Sequence, residues 1–392
     1  MTTKKPSLAT TICQGRISLT SCVYNASGPR TGSSAALAKI AKSEAGGILA
    51  KSATVESQTG NPQPRTWQSE SASLNSEGLP NYGIGYYLSD DVINEVKASG
   101  GDKPYMVSIS GKNLQDNLTM LSDIVKAYKD NKSSISAVEL NLACPNVIGH
   151  PIIAYDFKQM EEVLNAVSSL MKKSKSELPL GVKMPPYFDG PHFQNAANII
   201  NKYVGIVSYV ASINTIGNAF AVDTHSEMPV ISSKGGLAGL SGPAVKHTAL
   251  ANVKVLRSLL NPDIDVIGVG GVSTGEDVFQ MILVGASAVQ VGTCHWIEGP
   301  SCFGRISDEL IEIMNEKGYS SIEEFRGKLR DWSKEGASAS RAARKAREAR
   351  EKEEKEANDL LKQAKPNLFD IVNLVLIAII AMLAADKFGI MS

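Results

Sequence analysis

Residues 139–151 read ELNLACPNVIGHP, and this stretch predicts a buried strand that leads into a chemically reactive loop. Glu139 and Asn141 are two positions apart, so a strand would turn both toward one side and the intervening leucines toward the other. The apolar run breaks at Cys144, before a proline and a loop that contains glycine. A cysteine placed there, among amides, is suited to catalysis, although a lone cysteine is more often a small buried hydrophobe.

Working outward in both directions, short apolar strands alternate with amphipathic helices in eight strand-then-helix units. Such alternation predicts a parallel sheet, and eight repeats predict a closed (β/α)8 TIM barrel in the α/β class. A doubly wound sheet is the alternative, but no GxGxxG turn follows the first strand. We expect residues 55–83 to form a long loop, residues 207–218 a single strand and residues 234–242 a glycine-rich loop.

Composition excludes several classes of protein. The chain of 392 residues is 43% hydrophobic, and its 40 basic and 40 acidic residues balance, which argues against a nucleic acid partner. The five scattered cysteines contain no CxxC pair, so neither a disulfide framework nor a metal site is expected, and a reducing, cytoplasmic compartment is the default. The first residues have no secretory apolar core, although they are basic and hydroxyl-rich like a short transit peptide.

Polar residues recur where the predicted barrel strands end. In a barrel these ends meet at the catalytic face, and two lysines there require an anion or a polar cofactor between them. Glycine pairs before the last helices match a barrel phosphate site. The residues are Lys51, Ser110, Asn141, Lys183, Asn214, Gly270 and Gly271.

With these residues and several longer motifs, the chain between residues 13 and 332 resembles the dihydroorotate dehydrogenases of the soluble, fumarate-using kind (family 1A). The motifs are NASG (25–28), AKSAT (50–54), GNPQPR (60–65), SLNSEGLPN (73–81), ELNLACPN (139–146), GVKMPPYFD (181–189), NTIGN (214–218) and GVGGVSTG (268–275). The resemblance implies FMN in the barrel mouth, oxidation of dihydroorotate to orotate in pyrimidine biosynthesis, fumarate as electron acceptor and a homodimer. Glu77, Ala143 and His150 stand where the family more often has methionine, serine and lysine.

The resemblance also implies roles for individual residues. Cys144 would remove the C5 proton, which suits the one candidate base in the mouth whose unperturbed pKa is near neutrality. Lys183 would face the flavin edge where negative charge develops. The implied substrate residues are Lys51, Asn75, Gly78, Leu79, Asn141, Asn146, Asn214 and Thr215. The implied cofactor residues are Ala26, Ser27, Gly28, Lys51, Ser52, Asn141, Lys183, Ile213, Gly239, Gly270, Gly271, Gly292 and Thr293.

Three other functions remain as alternatives. A related flavin barrel could act on another dihydropyrimidine, but Lys51 and the GLP loop supply a carboxylate site that such rings do not need. Quinone could be the acceptor, although the chain lacks the N-terminal helical extension of the quinone-using branch. A non-catalytic flavin-binding scaffold is the third, and the presence of Cys144, Lys51 and Lys183 argues against it.

We expect the barrel to span residues 1–332. The sequence after it divides into a charged linker (333–367) and an apolar segment (368–392). Oppositely charged residues four apart predict a solvated helix over residues 338–359, rather than a coiled coil, because the apolar stripe is only alanine. Residues 368–385 read LFDIVNLVLIAIIAMLAA, which favours a membrane tail anchor over an intersubunit helix. The barrel would then lie on the cytoplasmic face of the membrane.

Overall fold

The computed structural model describes residues 5–131, 134–143, 152–364 and 376, and the chain divides into two units, Met1–Leu329 and Arg330–Ser392. The strands are β1 (Thr10–Ile12), β2 (Ile17–Leu19), β3 (Val23–Asn25), β4 (Ile48–Leu49), β5 (Thr66–Gln68), β6 (Ser73–Asn75), β7 (Tyr105–Ile109), β8 (Ala137–Asn141), β9 (Leu180–Met184), β10 (Val207–Ser212), β11 (Ile216–Ala219), β12 (Val222–Asp223), β13 (Met228–Pro229), β14 (Ala238–Ser241), β15 (Asp265–Val269) and β16 (Ala288–Val291). The helices are α1 (Ser34–Ala41), α2 (Ile84–Tyr87), α3 (Asp90–Gly100), α4 (Leu114–Asp130), α5 (Phe157–Ser174), α6 (Gly190–Asn201), α7 (Lys246–Leu259), α8 (Gly275–Leu283), α9 (Thr293–Glu298), α10 (Ser301–Lys317) and α11 (Lys334–Ala364).

Eight parallel strands form the predicted barrel, in the order β3, β16, β15, β10, β9, β8, β7 and β4. The two end strands, β3 and β4, are joined largely by one side chain. Asn25 Nδ2 donates to the carbonyl of Leu49 at 2.6 Å, and the Leu49 amide donates to Asn25 Oδ1 at 3.0 Å. Gly46 N adds a bond of 2.8 Å to the carbonyl of Val23. A buried amide thus supplies donor and acceptor where the strand ladder stops, and the TIM-barrel prediction is confirmed.

The β1–β2 hairpin packs against the interior side chains of the barrel. Ile12, Ile17 and Leu19 lie in one cluster with Tyr24 of β3 and Tyr209 of β10. A larger apolar cluster fills the space between the strands and the surrounding helices, as the amphipathic pattern requires. Apolar side chains therefore fill the barrel interior at the amino-terminal ends of the strands, and the polar side chains lie toward the carboxyl-terminal ends.

A second sheet is built from two segments that the sequence predicts as loops and from the end of one predicted strand. Strands β5, β6, β14 and β11 form an antiparallel sheet in the order β11, β14, β6, β5, which we call the rim sheet. The prediction of a continuous loop over residues 55–83 is wrong, because β5 and β6 form a hairpin there. The predicted strand over 207–218 is two strands, and the predicted loop over 234–242 contains β14. The pairing of β14 with β6 and with β11 joins segments that are distant in sequence, as in Asn75 opposite Gly239.

The second unit is described from Arg330 to residue 364 and at Leu376. The predicted solvated helix is present and is longer than expected, since α11 spans Lys334–Ala364. Ion pairs four residues apart support it, between Arg344 and Glu348 at 3.3 Å and between Lys352 and Glu356 at 3.8 Å. Apart from Leu376, the apolar segment of residues 368–385 lies outside the described residues. Within the described part of the chain, every helix is too short or too polar to cross a bilayer.

Candidate active site

The carboxyl ends of the barrel strands bring together polar residues from different units. Asn141 ends β8 and lies opposite Lys183 of the adjacent strand β9. Lys51 follows β4, and its backbone amide donates to the carbonyl of Thr31 at 2.9 Å. Both lysine residues are only 6% exposed. The sequence-predicted cations therefore line the barrel mouth, where a negatively charged or polar ligand would compensate for their burial.

Two amides hold the chain immediately before Cys144. The Ala143 amide donates to Asn141 Oδ1 at 3.0 Å, and Asn214 Nδ2 donates to the Ala143 carbonyl at 3.1 Å. The Asn214 backbone is itself fixed by a bond of 2.8 Å to the Met184 carbonyl. Cys144, Asn146 and His150 lie outside the described residues. Ala143, the residue that precedes the cysteine, is thus held at its N–H by Asn141 of β8 and at its C=O by Asn214 of the β10–β11 connection.

Lys183 contacts a polar layer inside the barrel. Its ammonium donates to Gln290 Oε1 at 3.3 Å, and Gln290 Nε2 donates to Glu139 Oε2 at 2.8 Å. Burial lowers the pKa of Lys183, whereas the Glu139 carboxylate raises it. An ammonium group carries three donors, and among the described residues this side chain uses one of them. Further donors are therefore available toward the mouth.

Lys51 has a carboxylate close to it. Glu77 Oε2 lies 3.9 Å from Lys51 Nζ, and Glu77 Oε1 lies 3.5 Å from Arg65 Nε. The Glu77 side chain is 13% exposed, so this acidic residue is inserted between two partly buried cations. The position where the family more often has methionine therefore changes the charge balance beside Lys51.

Hydroxyl groups connect the first three strand ends of the barrel. The Ser52 amide donates to Ser27 Oγ at 2.7 Å, and Ser52 Oγ lies 2.8 Å from Ser108 Oγ. Gly28 N donates to Thr31 Oγ1 at 3.1 Å, which fixes the turn after β3. Ala26 N donates to the carbonyl of Val291 at 2.9 Å, so the turn also contacts the last strand.

Glycine turns form the opposite side of the mouth. Gly270 and Gly271 have φ values of 127° and 71°, and a Cβ on Gly271 would lie 2.6 Å from Lys246 Cβ. Gly292 precedes α9, and Thr293 Oγ1 lies 3.1 Å from Ser73 Oγ of the rim sheet. Left-handed backbone and close approach require glycine at both positions after β15. These turns expose backbone N–H groups next to two helices, as in barrel phosphate sites.

The rim sheet and the segments next to it contain the remaining sequence-predicted residues. Asn75 lies opposite Gly239, and a Cβ on Gly239 would be 2.2 Å from Thr215 Oγ1. Gly78 and Leu79 both have positive φ, at 69° and 53°. Ile213, next to the rim sheet, is 2% exposed, and its amide donates to the carbonyl of Val269 at 2.7 Å. Thr215 and Asn75 are brought to the mouth by pairing that the sequence alone did not indicate.

Sequence reasoning did not identify several of these groups. It assigned no role to Gln290, Tyr24 or Tyr209, and it left Asn25 unexplained within its motif. The only available signal was one polar letter within an apolar strand, as in AVQV (288–291). The sequence predicts that Glu139 faces the same side as Asn141, but the partners of Glu139 lie on strands 70 and 151 residues away.

The fold and this mouth define a class: a parallel α/β barrel whose strand ends bring together buried lysines, amides and glycine turns. Within that class, a family model described as dihydroorotate dehydrogenase matches residues 7–314. The chain belongs to the dihydroorotate dehydrogenase family.

Curated relatives agree with this assignment, and a solved structure shares the fold. The chain is 44% identical over 306 residues to "Dihydroorotate dehydrogenase A (fumarate)" of Lactococcus lactis subsp. lactis, covering 78% of this chain and 94% of the relative. It is also 44% identical over 307 residues to the protein of the same name from Lactococcus lactis subsp. cremoris, with coverage of 78% and 94%. A crystal structure of the Eimeria tenella enzyme in complex with ferulenol covers 84% of this chain and 90% of its own, with a TM-score of 0.67 and 20% identity. That likeness shows the barrel fold.

Proposed function

We propose that this protein is an FMN-dependent dihydroorotate dehydrogenase that oxidises dihydroorotate to orotate in pyrimidine biosynthesis, with fumarate as electron acceptor. The supporting observation is the joint position of Lys183, Lys51 and the glycine turns around one barrel mouth. The family membership and the relatives named for fumarate agree with it. A dehydrogenation across the C5–C6 bond needs a base for the C5 proton and an acceptor for the C6 hydride.

Residues of the mouth fit FMN. Among the described residues, the Ser110 hydroxyl is buried without a hydrogen-bond partner, and it stands at the end of β7 on the same side as Ser108. A polar ring would offer it a partner, because a buried hydroxyl left unpaired is costly. The turns at Gly270, Gly271 and Gly292 would hold the phosphate, with Thr293 beside them. FMN, when bound, supplies the hydride acceptor.

The proposed cofactor set also includes groups on the other side of the mouth. Ala26, Ser27 and Gly28 form a turn that is fixed by the bonds to Thr31 and Val291, and Ser52 donates to it through Ser27 Oγ. Lys183 would stabilise the negative charge that develops on the ring. Asn141, Ile213 and Gly239 would complete the contacts, since each lies on a strand end or on the rim sheet at the mouth.

Cys144 is the proposed base. A thiol has an ordinary pKa of about 8.5, so its thiolate is accessible near neutral pH, unlike a serine alkoxide. Asn141 and Asn214 bind the Ala143 peptide and would thereby position the next residue. In the proposed step the Cys144 thiolate takes the C5 proton, and Lys51 with the Gly78–Leu79 backbone binds the substrate carboxylate. Asn75, Asn146, Asn214 and Thr215 would bind the polar ring edges.

The test replaces the base and leaves the remainder of the site intact. Cys144→Ser should retain FMN but reduce its flavin with dihydroorotate about 10²–10⁴-fold more slowly at pH 7, with partial recovery at high pH. Cys22→Ser is the matched control and should keep the wild-type rate of flavin reduction. Cys22 is a buried free cysteine immediately before β3. Stopped-flow flavin absorbance gives both results. Wild-type reduction by Cys144→Ser at pH 7 would contradict the assignment.

The acceptor is tested separately. Steady-state turnover of the purified protein with dihydroorotate should be fastest with fumarate, compared with a soluble quinone and with NAD. A faster quinone reaction would assign the chain to quinone chemistry, whereas oxidation of dihydrouracil but not of dihydroorotate would favour the alternative of another dihydropyrimidine substrate. Failure to bind FMN would overturn the proposal altogether.

We further propose that the barrel is a homodimer and that residues 368–385 anchor it to a membrane, with the barrel in the cytosol. Exposed apolar side chains on the β11–β13 segment support an association surface, since Phe220, Val222 and Met228 are 50%, 54% and 59% exposed. The apolar run supports the anchor. Light scattering should give a dimer mass, and the tail fused to a reporter should resist alkaline extraction from membranes. A soluble reporter would instead indicate an assembly helix.

A further inference from the structure

A polar layer crosses the interior of the barrel below the mouth. Tyr24, Glu139, Tyr209 and Gln290 come from four strands, and each is at most 1% exposed. Gln290 Nε2 donates to Glu139 Oε2 at 2.8 Å and to the Tyr24 hydroxyl at 3.2 Å. The Tyr209 hydroxyl donates to the same carboxylate oxygen at 3.4 Å. This layer separates the apolar base of the barrel from the mouth, and Lys183 touches it from the mouth side.

The chemistry of the partners fixes the orientation of the Gln290 amide. Lys183 offers only donors and the Glu139 carboxylate only acceptors, so the amide oxygen must face the lysine and the NH₂ group the glutamate. In this orientation the amide uses its oxygen once and both of its N–H groups. The amide dipole is then favourable to both charges at once, which makes Gln290 a bridge between a buried anion and a buried cation.

The backbone is adapted to this layer. Gly181 of β9 lies opposite Glu139, and a Cβ there would be only 2.0 Å from Tyr209 Cζ. Glycine is therefore required for the Tyr209 ring to lie across the strand and reach Glu139. Because burying an unpaired charge is costly, a fully enclosed glutamate needs a partner, and among the described residues the cation that the Gln290 bridge reaches is Lys183.

Of the titratable groups near Lys183 in the described part of the chain, Glu139 is the one that supplies a counter-charge. Burial raises the pKa of Tyr24 and Tyr209 well above the usual range, so both hydroxyls stay neutral. Cys13 and Asp265 lie at the amino-terminal end, where Cys13 N donates to Asp265 Oδ2 at 2.5 Å. Among the described residues Glu139 is the charged group that acts on the pKa of Lys183, and it opposes the lowering by burial.

We infer that Glu139, acting through Gln290, is a positioning residue that keeps Lys183 charged and oriented toward the flavin ring. This rests on the proposed FMN site. A lysine held in its charged form stabilises the negative charge of the reduced ring over the whole working pH range. Without Glu139, burial would act alone on Lys183, which would then lose its proton as the pH rises.

Sulfite is a suitable probe, because it adds to the oxidised flavin and the adduct is stabilised by a cation next to the ring. The affinity, expressed per sulfite dianion, should be nearly constant for the wild-type holoenzyme from about pH 6 to 8.5. Glu139→Gln should resemble the wild type at the low end and bind sulfite about tenfold more weakly at the high end, since one pKa unit of loss gives that factor. Difference absorbance of the flavin measures this.

Two further variants keep the test decisive. Asp265→Asn neutralises a carboxylate at the other end of the barrel and should match the wild type. Gln290→Met removes the bridge while retaining the volume, and should show a similar loss at high pH even where Glu139→Gln does not fold. If Glu139→Gln instead binds sulfite equally or more tightly at every pH, Glu139 does not maintain the charge, and the inference is wrong.

The same experiment separates this inference from the proposed function. Lys183→Ala should weaken sulfite binding at every pH, because the cation itself is removed. A wild-type protein without FMN, or a Lys183→Ala variant with unchanged sulfite affinity, would contradict the proposed cofactor site. A different outcome would contradict only the role of Glu139. In that outcome, Lys183→Ala binds sulfite more weakly at every pH, whereas Glu139→Gln and Gln290→Met bind it as the wild type does.

Discussion

The barrel interior and the segment that follows β6 each place a carboxylate near a buried lysine, but they do so differently. Glu139 reaches Lys183 through the Gln290 amide, within a layer of hydrogen bonds that is closed to solvent. Glu77 lies directly beside Lys51, at 3.9 Å, and is shared with Arg65. The first arrangement fixes a permanent charge, whereas the second allows a ligand carboxylate to compete. This difference matches the proposed roles, because the cofactor would remain bound throughout turnover, whereas the substrate would be replaced in each cycle.

The largest effect should come from removing the interior cation. Lys183→Ala should slow flavin reduction by dihydroorotate about 10²–10³-fold, because the developing negative charge loses its partner. It should also lower the FMN content after gel filtration. Stopped-flow absorbance and flavin fluorescence measure the two effects. Lys173→Ala, on the exposed face of α5, is the control. Unchanged FMN content and rate would make Lys183 a purely structural residue.

A smaller effect should follow from a change in the rim sheet. Gly239→Ala places a methyl group 2.2 Å from Thr215 Oγ1, so Thr215 must move. We expect a stability loss of about 1–3 kcal/mol, measured by urea unfolding, and a higher KM for dihydroorotate with FMN still bound. Gly217→Ala on the neighbouring strand has open space and should be neutral. Equal effects of both variants would show that the close approach is unimportant.

The Glu77 carboxylate should have a more modest influence. Glu77→Gln removes the charge that competes with the substrate carboxylate for Lys51, so KM for dihydroorotate should fall roughly threefold, a fraction of 1 kcal/mol as for partly screened pairs. The value of kcat should change little. Glu70→Gln, at an exposed position of the β5–β6 turn, serves as the control. A rise in KM would mean that Glu77 orients Lys51 and does not compete for it.

The smallest effect should come from truncation after Asp331. The first unit ends at Leu329, and its core and mouth residues all precede that point. The truncated protein should keep FMN, and its kcat should stay within about twofold, since surface segments away from the core change stability little. Loss of activity or of the dimer would show that residues 332–392 take part in assembly.

The sequence by itself determined the repeated α/β pattern and the residues at the strand ends. Apolar strands and amphipathic helices are local patterns, so the barrel could be predicted without knowing any partner strand. Lys51, Asn141, Lys183 and the glycine turns followed, because the carboxyl ends of parallel strands must meet at one face. The charged helix was also local, and the structure confirms it over Lys334–Ala364.

Only the tertiary structure decided which distant residues meet. The rim sheet depends on pairing such as Asn75 with Gly239, and short strands of this kind show no local period that separates them from a loop. Asn25 joins β3 to β4 because the backbone ladder stops there. Glu139 and Gln290 are 151 residues apart in sequence and 2.8 Å apart in space. A buried charge can be recognised from sequence, but its counter-charge is set by the closure of the barrel, because interior neighbours come from strands far apart along the chain.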